Sequence, residues 1–143
     1  MKSFIAAMLA TAAFSYETLT VDNGYASIQI TEDGVPKTLY VAMDSSQSYG
    51  DTMVIPYNSR AMLIESPSMD PNQIYTPSLL GGSVDYDVDL SQSNCGCIAA
   101  FYLVKAPGKD SSGNYWNTDG YYYCDGNQVG GNWCPEFDIM EAN

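Results

Sequence analysis

The chain has no histidine, and only five of its 143 residues are Lys or Arg, against 17 Asp or Glu. The few basic side chains do not cluster, and the formal net charge is −12. A nucleic acid and an anionic membrane surface are therefore excluded as partners. An uncharged substrate such as a polysaccharide fits best, although an acidic surface that keeps the protein soluble explains the charge equally well. Long apolar runs are missing too, so no segment can cross a bilayer. No fixed-period repeat, low-complexity tail or clear helical period is present. The length allows one domain and no more.

Residues 1–15 read as a secretory signal peptide. Lys2 supplies the positive start, Phe4 to Phe14 form a short apolar core, and Ala12, Ala13 and Ser15 are small residues where cleavage occurs, before Tyr16 or Glu17. The alternatives are a membrane anchor or a buried helix, and the run is too short for the first. The mature chain, residues 16–143, is expected outside the cell. Cys95, Cys97, Cys124 and Cys134 then read as disulfide partners rather than reduced thiols. Zinc is the competing reading. Cys95 and Cys97 lie one residue apart and Cys124 and Cys134 nine, which are not the usual zinc spacings. No metal and no cofactor are expected.

The pattern predicts an all-β chain. Tyr25 to Thr31 alternates, with Ala26, Ile28 and Ile30 on one face, and Glu32-Asp33-Gly34 reads as a turn. Lys37 to Met43 and Ser59 to Glu65 predict two further strands, and Ser66 to Pro77, with three prolines, a loop. Val84, Tyr86, Val88 and Leu90 share one face of a predicted strand, and Asp85, Asp87 and Asp89 the other. Ile98 to Val104 reads as a central strand, Ala106 to Trp133 as a long loop, and Phe137 to Met140 as a last short strand. The fold class expected is an antiparallel β-sandwich.

The chemistry lies in Glu136-Phe-Asp-Ile-Met-Glu-Ala-Asn143. On a strand Glu136 and Asp138 face together, while Phe137 and Ile139 turn to the core. Glu141 is out of phase by one residue, and a bulge near Ile139 and Met140 brings it back. Three acids on one strip suit a retaining glycosidase, which uses one carboxylate as nucleophile and a second carboxyl as acid and then base. Crowded carboxylates raise at least one pKa, which keeps the acid protonated beside an ionised nucleophile. A solvated acidic edge strand or a calcium site explains the same spacing without catalysis.

The neighbouring blocks carry a resemblance. Cys134-Pro-Glu-Phe-Asp-Ile-Met-Glu-Ala-Asn143 resembles the C-x-E-M-D-I-W-E-A-N motif of glycoside hydrolase family 7, the cellobiohydrolases and endoglucanases acting on β-1,4-glucan. Gly120-Tyr-Tyr-Tyr-Cys-Asp125 is similar to its G-x-G-Y-C-D, Val84 to Val104 to its F-D-V-D-V, P-C-G and G-A-L-Y-F-V blocks, and Ser59 to Glu65 to its S-R-L-Y-L-M strand. The likeness runs over residues 59–143 in the family's order.

The resemblance implies a concanavalin A-like jelly roll, with Glu136 as nucleophile, Asp138 as its supporting acid and Glu141 as acid/base. It implies Tyr102, Tyr123 and Asp125 as glucan contacts, though Tyr102 reads equally as core and Asp125 as a turn residue. It pairs Cys124 with Cys134, and it places Gln128 and Trp133 where a second family bridge stands. Cys95 matches a family cysteine whose partner lies beyond Asn143, and Cys97 matches none. A free thiol or an out-of-chain partner is expected for each, with a local Cys95–Cys97 bridge as the alternative. The cysteine-rich start and early cleft tryptophans of the family are missing, Met140 replaces a Trp, and Ile98 stands near a usual Asn. The jelly roll is incomplete at Asn143, so the chain is expected to be a piece of a longer gene product and inactive alone. The expected partner is cellulose or a related β-glucan, bound by a monomer. The rivals are a family 16-like β-1,3(4)-glucanase, which shares the E-x-D-x-x-E strand, and a glucan-binding sandwich without catalysis.

Overall fold

The structure, a computed structural model, describes residues 5–6, 21–22, 25–42, 47–93, 95–117 and 121–143. Nearly all of its regular structure is β. The strands are β1 (Ile5–Ala6), β2 (Val21–Asp22), β3 (Tyr25–Glu32), β4 (Val35–Ala42), β5 (Gln47–Tyr49), β6 (Thr52–Val54), β7 (Met62–Ile64), β8 (Asp85–Tyr86), β9 (Ala99–Val104) and β10 (Glu136–Ala142). One 3₁₀ turn, Pro71–Gln73, is capped by the Asp70 carboxylate, which accepts the Asn72 N–H at 2.9 Å. The chain divides into two compact units, Met1–Val88 and Asp89–Asn143. Apart from β1, the leader read over residues 1–15 lies outside the described residues.

The first unit is organised by the β3–β4 hairpin. Asp33 and Gly34 both have positive φ, 53° and 80°, as a two-residue hairpin turn that follows the strand twist requires. That turn sets the register, with Ala26 opposite Val41 and Ile28 opposite Leu39. These four side chains form one buried cluster, and Ile30, Met53, Ala61, Leu63 and Tyr75 pack against it. Each fully buried Leu or Ile contributes about 1.5–3 kcal/mol. The antiparallel sheet runs β2-β3-β4-β7. At the end of its core face Lys37 bridges Glu32 (3.0 Å) and Glu65 (3.2 Å), and its ammonium sits 4.6 Å from the centre of the Tyr75 ring. The Tyr75 hydroxyl donates to Glu32 at 3.1 Å; its own burial, then that carboxylate, push the phenol upward from its ordinary value.

Two predicted strands are shorter than the alternation suggests. Ser59 to Glu65 contributes only Met62–Ile64. The Val84–Leu90 alternation yields two strand residues, Asp85–Tyr86, paired in parallel with β1, and Val88 is exposed. Of the three alternating aspartates only Asp85 lies in the strand. The last of them, Asp89, instead accepts the backbone N–H of Ser91 at 2.8 Å and turns the chain.

The second unit is a two-stranded antiparallel ladder of β9 and β10, with the intervening residues folded as loop. Among the described residues the only sheet partner of β9 is β10. Phe137, expected in the core, is 66% exposed; among the described residues of this unit the β9–β10 ladder is the only sheet.

Candidate active site

The ladder register decides where the three acids point. Glu136 stands opposite Val104, Phe137 opposite Leu103 and Asp138 opposite Tyr102. The next pairs are Met140 with Phe101 and Glu141 with Ala100, so Ile139 is an extra residue in β10. Directly opposed residues in an antiparallel ladder share a face. Val104, Tyr102 and Ala100 alternate along β9, so Glu136, Asp138 and Glu141 stand on one face with them. The bulge expected near Ile139 and Met140 is present, and it cancels the one-residue phase error of Glu141.

A turn from the long loop comes over the Glu136 end of this face. The backbone N–H of Gly126 donates to Glu136 Oε2 at 2.8 Å. A Cβ at Gly126 would stand 3.0 Å from that oxygen, so glycine is what lets the backbone approach so closely. Asp138 and Glu141 are exposed, and Glu136 is half-buried.

Behind the turn the loop is pinned covalently. Cys124 and Cys134 form a disulfide, as the resemblance implies, and both are buried. The Cys134 N–H donates to the Asp125 carbonyl at 3.1 Å, and Asp125 bridges to Trp133 in parallel. Both ends of the short loop between them are therefore held at the start of the carboxylate strand. Cys95 and Cys97 are free thiols, with Gly96 between them at φ 86°.

Tyr102, Tyr123 and Asp125 form one hydrogen-bonded group. The Tyr102 and Tyr123 hydroxyls are 3.0 Å apart, and Tyr123 is also hydrogen-bonded to Asp125. Burial first, then these two partners, raise the Tyr123 phenol above its ordinary value and keep it neutral. Asp125 is only 2% exposed, and its carboxylate accepts the Val129 N–H at 2.9 Å. Asp125 is thus a turn residue in its contacts, while its neighbour Gly126 reaches the acidic strip. Tyr102, opposite Asp138, stands on that strip itself.

Sequence reasoning placed the three acids, the two tyrosines and Asp125, and the structure groups them in one unit. Gly126 was missed as a member of the group, although Asp125-Gly126 is a common turn dipeptide. Among the described residues no cluster of three or more His, Cys, Asp or Glu has a metal-binding arrangement. Among the described residues no helix is long and apolar enough to cross a membrane. Compared with known proteins, the chain matches no family model, no curated protein and no solved structure.

Proposed function

We propose that this chain carries the catalytic strand of a secreted, retaining β-1,4-glucan hydrolase built on a sandwich of the jelly-roll type. One observation supports the reading above the others: the extra residue at Ile139, which sets Glu136, Asp138 and Glu141 on one face.

In this mechanism Glu136 attacks the anomeric carbon while Glu141, protonated, gives its proton to the departing glycosidic oxygen. Glu141 then takes a proton from water, whose oxygen bonds to the anomeric carbon as the ester bond to Glu136 breaks. Glu136 enters the reaction oriented by the Gly126 N–H. Asp138, between the two in the strip, is the neighbour that holds the nucleophile's orientation once a sugar is bound. Double displacement needs the two reacting carboxyls roughly 5–5.5 Å apart. The backbone positions opposite Val104 and Ala100 are roughly 13 Å apart along the strand, so both long side chains lean over Asp138 when a sugar is bound. Tyr102 supplies an aromatic surface beside Asp138 for the apolar face of a glucose ring.

The test is the product's configuration, followed by proton NMR as the full gene product hydrolyses cello-oligosaccharides. The β-anomer should form first and mutarotate afterwards. Initial formation of the α-anomer, or cleavage of β-1,3-linked glucan alone, would remove this reading.

A further inference from the structure

The second unit carries another surface whose chemistry differs from the acidic strip. A groove of about 350 Å³ is lined by Lys105, Ala106, Pro107, Lys109, Trp133 and Pro135, with Cys134 beneath. That volume lies at the small end of ligand pockets and suits one or two rings. Two of the chain's five Lys and Arg residues meet here, in a protein of net charge −12.

Neither lysine forms an ion pair with a described residue. The nearest acid in sequence, Asp110, is committed elsewhere. Its carboxylate accepts the backbone N–H of Ser112 at 2.8 Å and of Asn114 at 2.9 Å, and those donors hold it below its ordinary pKa. The Lys109 ammonium sits 5.2 Å from the centre of the Tyr115 ring, which fixes one cation at the groove. Trp133 is 57% exposed despite its size, and the disulfide of Cys134 holds its backbone in place. Pro107 and Pro135 add rigid apolar walls.

We propose that this groove binds an anionic sugar ring, a hexuronate unit of a polysaccharide. The Trp133 face stacks on the C–H face of the ring, and Lys105 and Lys109 meet its carboxylate. A neutral sugar would leave both ammonium groups without a counter-charge, and a bare inorganic anion would leave the tryptophan uncovered. Lysines act as point charges and do not demand the bidentate geometry of an arginine site, which suits a carboxylate presented at variable angle. The site does not depend on the hydrolase reading, since none of the three strip acids takes part.

The test is a titration of the full chain, followed by amide NMR shifts over residues 105–109 and 133–135. The probes are methyl glucuronoside, methyl glucoside and sodium phosphate. The glucuronoside should saturate with a Kd on the order of 1 mM, the affinity usual for a single-ring ligand of this size. Trp133→Ala should weaken it about tenfold, while Trp133→Phe retains most of the binding. Lys105→Gln and Lys109→Gln should each cost about two- to fivefold, the range for exposed charge pairs. Equal affinity for the glucoside would remove the role of the lysines. Equal affinity for phosphate, or unchanged binding in Trp133→Ala, would remove the sugar. Any of these overturns the proposal.

Discussion

Glu136→Gln is expected to lower hydrolysis of cello-oligosaccharides by about ten-thousandfold or more, the scale seen when a covalent nucleophile is removed. The substitution is a sharp one because it changes so little else. The glutamine carbonyl can still accept the Gly126 N–H that reaches Glu136 Oε2 at 2.8 Å, so the turn over the strip stays where it is. Substrate binding should therefore survive while the neutral amide fails to form a glycosyl ester. Glu141→Gln separates the roles. Its loss should be about 10²–10⁴-fold on natural glucan, where the leaving oxygen needs a proton, and much smaller on aryl glycosides with acidic leaving groups. Unchanged turnover in Glu136→Gln would remove it from the role of nucleophile.

Replacing Cys124 and Cys134 by alanine is expected to destabilise the second unit by about 2.5–3 kcal/mol, the loop-closure entropy of a bridge between residues ten apart. For a unit as small as Asp89–Asn143 that is a large share of its stability, since domains hold about 0.05–0.15 kcal/mol per residue. The melting temperature should fall by about 10–20 °C, read by circular dichroism with and without reductant. The bridge spans the turn that holds Glu136, so the loss acts on the site as well as on the fold. Coincident melting curves for the oxidised and alanine forms would show that the ladder and loop hold themselves without it.

The parts of this molecule that were legible in its sequence are those set by local rules. Asp33-Gly34 demands positive φ at both positions, and so fixes the β3–β4 register and the Ala26, Ile28, Leu39 and Val41 core. The misphasing of Glu141 against Glu136 and Asp138 pointed to a bulge, since nothing else in a ladder shifts parity by one. What was illegible depends on partners. Val84 to Leu90 alternates as a strand should, but Asp89 prefers its own backbone turn, and only Asp85–Tyr86 pairs. Phe137 looks like a core residue from its strand position alone, yet burial needs a facing layer, and the described residues of the second unit form only the one ladder. The Tyr102–Tyr123–Asp125 group and the Gly126 donor join segments distant in sequence. Spacing within either segment says nothing about such contacts.

The account stands on the extra residue in β10, and interstrand NOEs measure it most directly. Contacts of Asp138 with Tyr102 and of Glu141 with Ala100, with Ile139 opposite no residue, are the predicted result. An unbroken ladder that sets Ile139 against Phe101 and Glu141 against Ala99 would turn Glu141 away from Glu136 and contradict it.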